Sequence, residues 1–77
     1  METTLNCLKE GEAGRITSLE ADGSLRRRLL DFGLIVGTPV RCLRKSPWGS
    51  PVIYRVRGTM LAIRACDGQR IRVEQCG

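Results

Sequence analysis

A chain of 77 residues has room for one hydrophobic core, and everything else it does must be built around that core. A domain of this size buries only about 60% of the surface its unfolded chain exposes, so nearly all apolar side chains must point inward. Little space remains for a deep ligand pocket. Residues 1–77 are therefore read as a single domain, and the spacing of the apolar residues decides its class. That spacing is mostly period two. Val52, Tyr54 and Val56 alternate with Ile53, Arg55 and Arg57, the mark of a half-buried strand. Val40 and Cys42 flank Arg41, Leu61 and Ile63 precede Arg64, and Ile71 and Val73 alternate with Arg70 and Arg72. Arg15–Glu20 is a further strand, in which the odd spacing of Ile16 and Leu19 requires a bulge or twist.

Turn chemistry separates these runs. Gly11 to Gly14 turns the chain after Leu5 and Leu8. Ser46-Pro47-Trp48-Gly49 fits a type I turn, Gly58 permits a bend, and Asp67-Gly68 reads as a tight turn. One segment is helical instead. Leu25, Leu29 and Phe32 fall at i, i+4 and i+7, with Ser24 placed to cap and Gly33 placed for a left-handed C-terminus. Two turns are too few for a stable isolated helix, so those three side chains must dock it, with Phe32 buried beneath. Arg26, Arg27 and Arg28 then point elsewhere. The expected class is all-β: a small barrel of about five antiparallel strands with one short inserted helix. Gly33 and Gly58 are expected to be structural, and a β-branched residue at either destabilises the fold if its φ is positive.

The inventory of reactive groups argues against catalysis. There is no histidine, the eight carboxylates are scattered, and the Gly11–Gly14 segment lacks the Lys-Ser/Thr of a phosphate loop. No catalytic residue, cofactor or metal ligand is assigned. Cys7, Cys42, Cys66 and Cys76 form no C-x-x-C pair and no compact ligand motif. The N-terminus has neither the basic start nor the apolar stretch of an export signal, which implies a cytoplasmic location. In that compartment the cysteines are expected to be free and mostly buried, with Cys76 the most exposed.

The remaining signal is charge. The chain carries +5, and eleven of its thirteen basic residues are arginine, which suits carboxylate or phosphate recognition. A small basic barrel that binds nucleic acid is the alternative reading. It lacks aromatic stacking platforms, since Phe32 and Tyr54 face inward and Trp48 alone sits at a turn tip. A homo-oligomeric adaptor for another protein is a third.

Taken together, the motifs resemble those of the FeoA family, small cytoplasmic proteins of bacterial ferrous iron uptake. The resemblance lies in Leu25-Arg26-Arg27-Arg28-Leu29-Leu30-Asp31-Phe32-Gly33-Leu34 and Val36-Gly37-Thr38-Pro39-Val40. It continues through Pro47-Trp48-Gly49-Ser50-Pro51-Val52, Val56-Arg57-Gly58-Thr59, Leu61-Ala62-Ile63-Arg64 and Ile71-Arg72-Val73. It spans nearly the whole chain and implies an SH3-like barrel with a helix inserted after the first strand. It also implies the free-standing form of the module and a partner, the cytoplasmic G-protein region of the membrane ferrous iron transporter FeoB. The expected contacts are Arg26, Arg27, Arg28, Arg55, Arg57 and Trp48. The Asp67-Gly68 segment departs from the family, whose members often have a short helical turn there.

Overall fold

The computed structural model describes residues 1–76. Six strands form one antiparallel sheet: β1 (Glu2–Thr4), β2 (Ala13–Leu19), β3 (Pro39–Lys45), β4 (Val52–Val56), β5 (Thr59–Ile63) and β6 (Ile71–Cys76). Two small helices interrupt them, α1 (Gly23–Asp31) and α2 (Ala65–Gly68). The spatial order is β1-β6-β2-β3-β4-β5, so β6 returns from the end of the chain to lie between the first two strands. The period-two pattern is realised as expected. Val52, Tyr54 and Val56 are buried from β4, Ile71 and Val73 from β6, and Val40 and Cys42 from β3. The Tyr54 hydroxyl donates to the Leu5 carbonyl at 3.1 Å, which satisfies it inside the core.

The bulge in β2 falls where the Ile16–Leu19 spacing requires it. Ile16 faces Val73 and Leu19 faces Ile71, and the register shifts between Ile16 and Ser18. One extra residue thus returns both side chains to the inner face. The Ser46–Gly49 turn closes with a Gly49 N–H to Ser46 carbonyl bond of 2.9 Å.

Several expectations are corrected. The strand count is six rather than five, because Glu2–Thr4 pairs with β6. Three residues without apolar alternation give no sequence signal, and backbone pairing and side-chain hydrogen bonds hold them. The Glu2 carboxylate accepts from Thr17 Oγ1 at 2.9 Å and from Arg72 Nε at 3.0 Å. Those two bonds hold its pKa below the usual value. Among the described residues no ladder joins β5 to β1, so the sheet keeps two edges rather than the closed ring that removes them.

The Asp67-Gly68 segment is a helical turn and not a tight one. Gly68 and Gln69 donate to the carbonyls four residues back at 2.9 and 3.1 Å, and Arg64 pairs with Asp67 at 3.5 Å. Gly68 is buried against Asn6, where a Cβ would come within 3.1 Å of the Asn6 Cβ. The short helical turn that the resemblance implies is thus present at this segment. The helix α1 begins at Gly23 with Asp22 as its cap residue, two positions before the expected cap Ser24. The four cysteines are free, but Cys42 alone is buried. Cys7 lies on a 3-10 turn (Leu5–Cys7), Cys66 on α2 and Cys76 at the end of β6, three places with one side to solvent.

Candidate protein-docking surface

The helix α1 is too short to stand alone, and its placement follows from how it ends. Gly33 has φ of +87°, and its N–H donates to the Leu30 carbonyl at 2.9 Å. The Leu34 N–H reaches back to the Leu29 carbonyl at 3.0 Å. These two bonds make a Schellman cap, and Leu29 and Leu34, the pair such a cap brings together, are both buried in the core. Leu25 packs at the margin of the core.

Docking by Leu29 and Leu34 leaves Phe32 outside. It is 46% exposed, against the expectation that it lies under the helix. Once the Schellman cap reverses the chain at Gly33, Leu34 takes the inner place that Phe32 would have filled. Leu30, Ile35 and Val36 are exposed as well, so four of the seven exposed large apolar residues fall within residues 30–36. Sequence reasoning missed this patch because it expected nearly all apolar side chains to point inward and placed Phe32 beneath the helix. The available signal was an excess: a two-turn helix with one buried face cannot also hide Leu30, Ile35 and Val36.

The expected contact residues divide among separate places. Arg28 lies in the last turn of α1, where a cation complements the helix dipole, and lines a groove with Phe32, Ala62, Ile63 and Arg64. Arg57 belongs to the same end of the molecule, since a Cβ on Gly33 would lie 3.7 Å from its Cδ. Arg26 turns away and donates to the Leu19 carbonyl at 3.4 Å, and Arg27 lines a shallow hollow with Ser24, Arg28 and Asp31. Trp48 is 89% exposed on the β3–β4 turn. It sits at the opposite end of β4 from Arg57, a strand about 17 Å long. The structure therefore brings Arg28 and Arg57 to the apolar patch and leaves Trp48 apart from it.

Two features of the arginines are costly in isolation. Arg57 is the single described non-glycine residue with positive φ, +53°, and with Gly58 at +78° it forms the two-residue turn between β4 and β5. Asparagine or glycine is the ordinary occupant of that position. Arg55 stands directly across from Arg41 in the β3–β4 ladder, a like-charge pair that disfavours the sheet. Arg41 is drawn aside to the Gly11 carbonyl at 2.7 Å. Among the described residues, Arg64 and Arg72 are the arginines with a carboxylate within 4.0 Å, so the charge on Arg28, Arg41, Arg55 and Arg57 is uncompensated. No group of three or more Cys, Asp or Glu side chains among the described residues is arranged to hold a metal ion. No described helix is long and apolar enough to cross a membrane.

A small antiparallel sheet with one inserted helix, carrying an exposed apolar patch with unpaired arginines beside it, defines the class as a small β domain. Comparison with known proteins makes this specific. Residues 3–75 match the model of the FeoA domain, and the chain belongs to that family. It is 30% identical over 70 residues to the Fe(2+) transport protein A/Fe(2+) transporter FeoB fusion protein of Porphyromonas gingivalis. That match covers 91% of this chain and spans about 8% of the length of the fusion protein. The solution structure of the FeoA protein from Chlorobium tepidum superimposes with a TM-score of 0.91 at 33% identity, over 97% of this chain and 71% of that one. The crystal structure of Stenotrophomonas maltophilia FeoA, solved with zinc and described as a prokaryotic SH3 domain protein, gives 0.83 at 29% identity. It covers 94% of this chain and 89% of that one.

Proposed function

We propose that this protein is a cytoplasmic accessory factor of ferrous iron uptake that binds the cytoplasmic region of a FeoB-type transporter. The observation that carries this reading is the fusion relative, in which a segment like this chain is joined to the transporter in one polypeptide. Covalent linkage holds two partners at high effective concentration, and a docking surface on the matching segment would serve the same association. The patch of Phe32, Ile35 and Val36 beside Arg28 and Arg57 has the composition of such a surface: an apolar centre with arginines at its margin. The role is binding and regulation rather than bond chemistry.

Titration of the protein against the purified cytoplasmic region of its cognate transporter tests this reading. The pair Phe32→Ala and Val36→Ala should weaken binding by roughly 10-fold or more, as should Arg28→Glu with Arg57→Glu. Trp48→Ala should leave it within about 2-fold, because Trp48 lies at the far end of β4. Loss of binding with Trp48→Ala and none with the patch variants would place the docking face on the β3–β4 turn instead.

A further inference from the structure

We propose that the free edge of β5 is a second docking site, which takes an extended acidic segment of a partner protein as a seventh strand. The hairpin geometry defines what the edge offers. β4 and β5 are joined by the two-residue turn Arg57-Gly58, both with positive φ, so Val56 and Thr59 form its hydrogen-bonded closing pair. Hydrogen-bonded and open pairs then alternate, which makes Tyr54–Leu61 and Val52–Ile63 bonded and Arg55–Met60 and Ile53–Ala62 open. The N–H and C=O groups of Met60 and Ala62 therefore point away from β4. No strand, side chain or loop among the described residues receives them.

Proteins ordinarily blunt such an edge with charge, proline, a bulge or short length. The opposite edge follows that rule: β1 has three residues, one of them Glu2, and passes directly into a 3-10 turn. β5 does not. Thr59-Met60-Leu61-Ala62-Ile63 carries no charge and no proline, and its register with β4 runs without a bulge. An added strand would find apolar surface on both its sides. Leu43, Ile53, Met60 and Ala62 line a groove on the outer face, and Leu29, Phe32 and Ile63 line another toward α1.

Charge selects the occupant. Arg44 lines the outer groove, Arg28 and Arg64 line the inner one, and Arg55 lies opposite Met60. Among the described residues Asp67 is the one carboxylate lining either groove, and Arg64 already holds it at 3.5 Å. Two copies meeting edge to edge would set these arginines against each other, each copy carrying +5. A strand bearing alternate carboxylates meets the opposite situation: main-chain bonds to Met60 and Ala62 hold it, and its acidic side chains fall beside the arginines. The site shares Phe32 and Arg28 with the patch but centres on Met60 and Ala62 of β5, and it does not require that the partner be a transporter.

Amide exchange with solvent, measured residue by residue on the whole protein by NMR, tests the proposal with a blocked peptide of alternating valine and glutamate. Saturating peptide should slow exchange at Met60 and Ala62 by ~10-fold or more. The same peptide with lysine for glutamate should not, nor should the glutamate peptide N-methylated at every residue, which keeps no N–H on either side with which to pair with an edge. Ala62→Pro should abolish the effect while the amides of Tyr54 and Val73 stay protected, and the N-methylated peptide gives the same information if that variant does not fold. Unchanged exchange at Met60 and Ala62, or equal binding of the N-methylated peptide, overturns the proposal. Protection that rises with protein concentration in the absence of peptide also overturns it, because the occupant is then a second copy.

Discussion

Arg57 is where fold and function pull in opposite directions. Its φ of +53° is a conformation that costs an L-residue roughly 1–2 kcal/mol, and the turn it occupies favours Asn-Gly. Strain of this kind persists where a side chain is needed. Arg57→Asn is therefore expected to stabilise the protein by about 0.5–1 kcal/mol in denaturant unfolding while weakening transporter binding. Equal binding by the variant would remove Arg57 from the docking surface. At Gly33 and Gly58 the φ values of +87° and +78° meet the condition set from sequence, so valine at either should be destabilising. Tyr54 supplies a pH test. Burial pushes its phenol well above the ordinary 10.0, with the Cys42 and Cys7 sulfurs adding to the effect. Burial also raises the Cys42 thiol above its ordinary 9.0. Both acids stay protonated in the folded protein at pH values where the unfolded chain has released its protons. Stability should hold below about pH 9 and fall as pH rises through 9 to 11, with a shallower fall in Tyr54→Phe. That variant should also cost about 0.5–1.5 kcal/mol at neutral pH for the lost bond to Leu5.

Among the elements, α1 connects the core to the proposed docking surface, because Leu29 and Leu34 anchor it from inside while Phe32, Ile35 and Val36 are exposed. Leu29→Ala should destabilise by about 2–4 kcal/mol and lower transporter affinity without touching a contact residue. Affinity unchanged in a folded variant would mean that the patch does not depend on how the helix is seated. The strands were legible in the sequence because period two has one solution when one face is buried, and the Ile16–Leu19 spacing even placed the bulge. The turn at Ser46–Gly49 and the cap at Gly33 were legible because their residues fit few conformations. β1 was not, since Glu2–Thr4 is held by pairing with β6 and by Glu2 rather than by burial. Neither was α2, where Asp67-Gly68 reads locally as a turn and the packing of Gly68 on Asn6 decides otherwise. Phe32 was misplaced for a related reason: helical spacing identifies a face, but the reversal at Gly33 decides which residue ends inside it.

At the scale of the molecule, the arginines are the unbalanced quantity. Arg28, Arg41, Arg55 and Arg57 have no carboxylate within 4.0 Å among the described residues, and Arg41 and Arg55 oppose each other across a ladder. The sequence showed the excess of positive charge, and the fold places part of it, Arg28, Arg55 and Arg57, near an apolar patch and the β5 edge. A domain this small has spent its apolar residues on one core, so surface that remains apolar and basic is surface available to a partner. Capture of the tagged protein from a detergent extract of its host grown without iron tests that claim most directly. Recovery of a FeoB-type transporter with the protein itself, and its loss with Arg28→Glu and Arg57→Glu, is the predicted result. Recovery of nucleic acid that nuclease removes, with no transporter present, would contradict it.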